Sequence, residues 1–433
     1  MRIFIGLSEI ANSIHNYGEG LRKLGIPTFT VVGRRAWQYP DSTYDVVIEE
    51  DLGTAPSGNA PVAILQRLVW RVRYYLILLR AILSCDVFIF TFGSAFRADR
   101  REYWLLKKLG KRIVSVFLGS EVRYSYAYIQ ECEHLGIDAD IRPLLDEGLK
   151  DRPDDYLAVK LKTVRQAEEY SDLIIGLPDA GQLQSRPYMR LNLPIDLSEI
   201  EFRVPDREIP VIVHAPSHRA LKGTDAVVDT IERLRAEGVQ FEFRLIERLS
   251  NKKLLEVLRD ADIVVDQLYS ETVATLALEG MASGNAVLAR YLPERTRISA
   301  DCPVINVNAE TLPVRLREVI LDRALRRRLA EAGRPYVERY HSTEVVAQQI
   351  LDWLDPTRRG EFHFHPTFFR DHFKASSAVV QDEAERLAKE PEYLRAASLS
   401  DFRGVRFEEQ SERVPQLDAA MRRVRRRPLT SER

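Results

Sequence analysis

The sequence predicts an α/β protein of two parallel-sheet units that face each other across a cleft, followed by an extension. Three observations carry this reading. The chain has 433 residues, more than one ordinary hydrophobic core accommodates. Short apolar runs alternate with helical stretches in two successive series, the pattern of parallel strands covered by helices. Between the series lies RLNLPIDLSEIEFRVPDREIP, 190–210, with three prolines and little periodicity, which reads as a linker.

The first unit, 1–195, opens with a strand at Arg2–Gly6 and a helix at Ile10–Leu24 that stops at Gly25. Strands follow at Thr28–Val32, Asp45–Ile48, Val87–Phe92, Arg112–Phe117 and Leu173–Gly176. Residues 124–160 are charged and mostly helical in pattern and read as an insertion. The second unit, 206–345, alternates a strand at Val211–His214, a helix at Asp225–Ala236, a strand at Phe241–Ile246 and a helix at Lys252–Arg259. A strand at Ile263–Asp266, a helix at Ala274–Ser283, a strand at Ala286–Ala289 and a helix at Leu312–Gly333 continue it. Residues 346–433 make up a cross-over helix, ending at Leu354 before Asp355-Pro356, and an extension with a basic tail. The four phenylalanines of Phe362–Phe369 are expected to dock on the first unit, with residues from about 415 onward left mobile.

Bulk composition narrows the function. With 63 basic and 64 acidic residues the formal net charge is −1, so no global field draws the protein to nucleic acid, and no nucleic-acid partner is expected. Hydrophobic residues make up 45%, enough for sizeable cores. Cys85, Cys132 and Cys302 are far apart and odd in number, which builds neither a disulfide framework nor a paired-cysteine zinc site and fits a reducing, cytoplasmic compartment. The first apolar run spans about five residues, short for a signal peptide. The stretch Leu65–Ser84 is interrupted by Arg67, Arg71, Arg73 and Arg80, too many charges for a membrane span. It is basic and aromatic, so two readings stand: a helix touching an anionic membrane surface, aided by the five arginines within 422–427, or a packed surface helix. Against the first, Arg67 and Arg71 share one helical face while Arg73 and Arg80 lie nearly opposite.

The motif richest in chemistry is YSETVATLALEGMASGNAVLA, 269–289, between the apolar runs DIVVDQ and AVLA. Two glutamates, Glu271 and Glu279, stand eight positions apart ahead of the small-residue turn Met281-Ala-Ser-Gly284. This resembles the donor-site motif of family-four GT-B glycosyltransferases, the retaining group 1 type, whose fold is two Rossmann-like domains facing across a cleft. The resemblance covers about residues 1–345. It implies a nucleotide diphosphate sugar as donor substrate, with no cofactor and no metal. Glu271 would meet the sugar and Glu279 the ribose hydroxyls. Eight helical residues span about 12 Å, a reach comparable with that from hexose to ribose across a diphosphate. Between them the N–H groups of Val273, Ala274 and Thr275 would face the diphosphate. Where the family usually has Phe-Gly after its first glutamate, this chain has Thr272-Val273-Ala274.

IVHAPSHRALKGTDAVVDTI, 212–231, resembles the basic loop of the same enzymes. Lys222 and Arg219 would offset the charge that grows on the leaving diphosphate. Many members place the arginine five positions before the lysine, which here is Ser217. In the first unit, FLGSEVR at 117–123 resembles an acceptor-side strand end. Glu121 would then face the acceptor and Arg123 would bind an acidic or phosphorylated one. SEIANS at 8–13 brings Asn12 toward the donor, and TFGSAF at 91–96 is a similar strand-end loop. Capping and turn chemistry account for these three segments as well.

Other signals point elsewhere. Asp138-Ala-Asp140 and Asp260-Ala-Asp262 match the D-x-D by which GT-A transferases hold metal, but neither follows a long apolar strand. His363 and His365 lack a third ligand in the sequence. There is no Walker A loop and no G-x-G-x-x-G after the first strand. The expectation is therefore a metal-independent hexosyltransferase acting on a glycan or lipid-linked acceptor. The alternatives are a nucleotide-sugar epimerase and a catalytically silent protein of the same fold.

Overall fold

The computed structural model describes residues 1–364 apart from 59, 98–99, 125–127, 129–130, 133–135, 137–152 and 205–206. Asp138, Asp140, His365 and the rest of the expected C-terminal extension therefore lie outside the described residues, as do 365–369 of the phenylalanine-rich segment.

The first unit runs β1 (Ile3–Leu7), α1 (Ser13–Lys23), β2 (Thr28–Val32), β3 (Val46–Val47), α2 (Ile48–Leu52), α3 (Pro61–Ser84), β4 (Val87–Thr91), α4 (Arg101–Lys108), β5 (Arg112–Val116), α5 (Pro153–Tyr170), β6 (Leu173–Gly176) and β7 (Met189–Arg190). Its strands form one sheet in the order β3-β2-β1-β4-β5-β6-β7. All neighbours are parallel, with Ile3 of β1 beside Thr28 of β2 and Val87 of β4. The second unit runs β8 (Val211–His214), α6 (Arg219–Lys222), α7 (Thr224–Ala236), β9 (Glu242–Leu245), α8 (Asn251–Arg259), β10 (Ile263–Val265), α9 (Thr275–Ser283), β11 (Ala286–Ala289), α10 (Pro293–Thr296), β12 (Ile305–Asn306), α11 (Leu312–Leu321) and α12 (Arg323–Tyr340). Its five strands are also all parallel, in the order β12-β11-β10-β8-β9. The central strands are apolar and buried along their whole length, as strands covered by helices on both faces must be.

Each sheet has a hydrophobic layer on either side. In the first unit one layer joins Ile3, Ile5 and Ile89 to α1, and the other joins Phe4, Phe88 and Phe90 to Leu78 of α3 and Tyr103 of α4. The last helix, α13 (Thr343–Leu354), follows the second unit but contributes Val346, Ile350, Trp353 and Leu354 to the core of the first. It can do so because α1 carries Gly20 at the crossing, where a methyl group would strike the Thr343 carbonyl. Beyond α13, Phe364 pairs with Tyr188 through two backbone hydrogen bonds of 3.1 Å and packs against its ring. Residues Phe362–Phe364 thus sit on the first unit.

Most elements start or end within a residue of the expected position, and three of the differences have a clear local cause. Helix α1 starts at Ser13, not Ile10, because Ala11 and Asn12 have φ of 52° and 60°. The Asp45–Ile48 strand shortens to Val46–Val47. The Asp45 carboxylate accepts from the Thr30 amide at 2.8 Å, and Ile48 turns into α2. The Leu312–Gly333 helix breaks at Asp322, which caps α12 by accepting from the Leu325 amide at 2.8 Å.

Candidate functional site

Strand order reverses between β1 and β4 in the first sheet and between β8 and β10 in the second. Crevices at the carboxyl ends of such strands are where open α/β sheets take ligands. A cleft of about 1550 Å³ occupies both points at once. From the first unit it is lined by Ser8 and Glu9 after β1 and by Phe92 after β4. From the second it is lined by Ala215–Ser217 after β8 and by the start of α9. A smaller cavity of about 600 Å³ adjoins it, and Gln38, Tyr39, Asn251, Thr275 and Glu279 line both.

The second unit supplies the charged wall. Arg219 and Lys222 lie on the one-turn helix α6 and both line the cleft, as does Ser217. That helix ends on Gly223 at φ 71°, where a side chain would meet Leu268 and Tyr269, so the turn back into α7 needs glycine. The Lys222 ammonium donates to Asp266 at 2.7 Å and to Gln267 at 3.1 Å. Asp266 ends the β10 segment and is fully buried. Arg219 is half exposed and pairs with Glu247 at 3.3 Å. The N-terminus of α9 lies on the same wall. Ala274, Thr275 and Leu276 line the cleft, and the N-cap residue, Ala274, has no polar side chain to cap this end. The first-turn N–H groups of a helix lack intrahelical acceptors, so this end attracts anions. Ala274 has φ −95°, so the backbone conformation here does not demand the glycine that the resemblance leads one to expect. Val273 points into the hydrophobic core.

One turn further along α9, Glu279 accepts from the Asn251 side chain at 2.7 Å. Burial pushes its carboxyl up to about 7, against the pull of that hydrogen bond. The Asn251 amide in turn donates to the Gln38 carbonyl of the first unit at 2.7 Å, which ties the two walls together beside Glu279.

Glu271 lies elsewhere. It does not line the cleft, and only 2% of it is exposed. Its carboxylate accepts from Arg295 Nε at 2.7 Å, while Arg295 Nη2 donates to Glu131 of the first unit at 3.2 Å. Burial raises the Glu271 carboxyl, and the Arg295 charge opposes that shift. The acceptor-side candidates stand near this network. Arg123 pairs with Asp179, and Glu121 accepts from the Leu118 amide at 2.6 Å, with burial raising its carboxyl. Neither lines the two cavities. Asn12 lines the smaller cavity, where its carbonyl accepts from Ser42 Oγ at 2.7 Å. In the TFGSAF loop, Ser94 is structural. Its hydroxyl accepts from the Leu7 amide at 2.8 Å and donates to the Gly6 carbonyl at 3.1 Å. Asp260 and Asp262, the described D-x-D, are both held by Arg207, and Asp262 also accepts from the Val211 amide at 2.9 Å. His363 accepts from the Arg190 amide at 2.9 Å.

No protein-family model matches the chain, and a search of the curated proteins finds no match. Solved structures do match. A sucrose-phosphate synthase from Thermosynechococcus elongatus superposes with a TM-score of 0.53 at 13% identity, over 81% of this chain and 97% of that one. TarM gives 0.53 at 10% identity, over 82% and 98%. Anabaena HepE in complex with UDP-glucose gives 0.50 at 11% identity, over 82% and 98%. The chain has the GT-B fold.

Within this GT-B frame several site residues carry no motif. Glu9 lines the cleft and closes the N-terminus of α1, accepting from the Ile14 and His15 amides at 3.3 Å each. Burial pushes its carboxyl up to about 7. Asp266 and Glu9 both follow strand ends at the cleft, so the strand-end rule alone flags them. Arg295, on the four-residue helix α10, carries no signal in the sequence that connects it with Glu271.

Proposed function

We propose that this protein is a retaining, metal-independent glycosyltransferase that moves a hexose from a nucleotide diphosphate sugar to a glycan or lipid-linked acceptor. One observation carries the reading. Lys222, Arg219, the uncapped start of α9 and Glu279 share one wall of a cleft at two facing topological switch points. In this reading the diphosphate lies between Lys222 and the α9 N-terminus. Charge that develops on the leaving phosphate as the glycosidic bond breaks is stabilised by the two cations and the amides, which are in place beforehand. Glu279, oriented by Asn251, accepts from the ribose hydroxyls. HepE was solved with UDP-glucose, which supports a nucleotide-sugar as donor. Retention of configuration rests on the family resemblance.

The test is transfer of labelled sugar from UDP-, GDP- and TDP-hexoses to glycan and glycolipid acceptors, with and without EDTA. Transfer that survives EDTA is the expected result. A strict Mn²⁺ or Mg²⁺ requirement contradicts it.

A second reading has its own observation. Glu271 is turned into the buried Arg295–Glu131 network and away from the cleft. That arrangement favours a nucleotide-sugar-binding protein without transferase activity. Donor binding with no turnover in any acceptor mixture would select it.

A further inference from the structure

Helix α3 resolves the mixed arginine pattern of its sequence. At about 100° per residue, Leu65, Val69, Val72, Leu76, Leu79 and Leu83 form a single stripe with alternating spacings of four and three. Each is between 47% and 76% exposed. The stripe is about 27 Å long at 1.5 Å per residue, whereas ordinary monomers confine exposed apolar surface to patches of a few hundred Å². The opposite face is the buried one. There Trp70, Tyr74, Ile77, Leu78 and Ala81 pack into the core layer of the first sheet.

The arginines divide accordingly. Arg67 turns inward to the carbonyls of Pro56 and Gly58. Arg73 and Arg80 flank the stripe on one side and lie against the protein, Arg73 donating to the Asp51 carbonyl at 2.8 Å and Arg80 standing 4.7 Å from the Phe29 ring centroid, while exposed Arg71 lies on the other side beyond the exposed Leu68 and Tyr75. The helix contains no acidic residue from Pro61 to Ser84. Helix α4, in the same layer, also exposes Trp104 and Leu105, with Leu109 exposed just after it and Lys108 over the Trp104 ring at 5.9 Å. Among the described residues no helix is long and apolar enough to cross a membrane.

We infer that α3 is an interfacial helix that seats the protein on an anionic bilayer, with its leucine and valine stripe in the acyl boundary, Arg71 among the headgroups, and the charges of Arg73 and Arg80 along the other border. Charge selects this occupant over a second copy of the chain. Paired helices place opposite charges beside their apolar seam, whereas two copies of α3 would set arginines against arginines with no acid to answer them. Lipid headgroups of negative charge complement the border. The helix also joins the surface to the cleft, because Trp70, on its inner face, lines the cleft. An acceptor anchored in the bilayer would therefore arrive beside the cleft wall.

The experiment is co-sedimentation of the full chain with vesicles of phosphatidylcholine containing phosphatidylglycerol, against phosphatidylcholine alone. The protein is expected to pellet with the anionic vesicles. Arg71→Glu should weaken partitioning about fivefold or more, and Val72→Glu with Leu76→Glu should abolish it. Both variants change exposed side chains, so melting curves should match the unmodified protein and show that the fold is intact. Two results overturn the inference: equal binding to both vesicle types, or no binding of the full chain to anionic vesicles, in which case a dimer in sedimentation velocity that Leu76→Glu dissociates would show that a second copy covers the stripe.

Discussion

Asn251 and Glu279 are joined by a hydrogen bond of 2.7 Å between the first residue of α8 and the middle of α9. The bond fixes the orientation of a buried carboxylate at the junction of the two cavities. It also sets a ligand-independent handle, since burial pushes this carboxyl up to about 7 while an exposed glutamate titrates near 4.5.

Stability should therefore fall with rising pH through this window. Between pH 4.5 and 7 the folded protein holds a proton on Glu279 that the unfolded chain has released, so raising the pH favours unfolding. Glu9, also raised to about 7 by burial, adds to the same slope. The contribution of Glu279 alone is on the order of 3 kcal/mol across the window. Chemical unfolding at pH 5 and pH 8 measures it. Glu279→Gln should flatten the slope, and an unchanged slope in that variant would remove Glu279 as its source.

Donor affinity should move the other way. Ribose hydroxyls bind the ionised carboxylate better than the neutral acid, so nucleotide affinity should rise several-fold between pH 6 and pH 8. Calorimetric titration checks this, and Glu279→Gln should lose most of the difference.

Arg295→Met strips Glu271 of its cation at a site where Glu271 is almost fully buried. Breaking a buried pair from one side costs about 3–5 kcal/mol, so the melting temperature should drop by several degrees. Adding Glu271→Gln and Glu131→Gln should recover most of it. Recovery matters because it separates loss of the ion pair from loss of packing.

The segment after α13 has its own test. Phe364 bridges Tyr188 by two backbone bonds, and the Arg359 guanidinium lies 5.5 Å from the Phe362 ring centroid. Deleting 357–433 should lower the melting temperature by several degrees, the scale of a kcal/mol or more. Identical melting curves would show that these contacts add nothing.

Strand and helix order in both units was legible because buried parallel strands are continuous apolar runs, such as IFIGL and VFIFT. What failed was local. Nothing in the pattern shows that Asn12 takes positive φ or that Asp322 breaks a continuous helical periodicity. At the site, residues placed by one element, such as Lys222 on α6 and Thr275 on α9, could be assigned to the cleft from spacing and resemblance. Residues whose role depends on a partner far away in sequence could not. Arg295 reaches Glu131 across the two units and fixes where Glu271 points, and neither relation leaves a mark in sequence spacing. The arginines of α3 read as scattered because the sequence does not record that Arg67 folds back onto Pro56 and Gly58, Arg73 onto Asp51 and Arg80 onto the Phe29 ring.

The central claim is that the Lys222–α9–Glu279 wall holds the diphosphate and ribose of a nucleotide. Calorimetric titration with UDP, GDP and TDP, each beside its nucleoside, tests it most directly. One nucleotide should bind. Lys222→Ala should weaken that nucleotide far more than its nucleoside, because the cation answers the diphosphate. Glu279→Ala should weaken both, by about 1.5–3 kcal/mol. If no nucleotide binds the unmodified protein, or if both variants bind it with undiminished affinity, the wall is not a nucleotide site and the account is wrong.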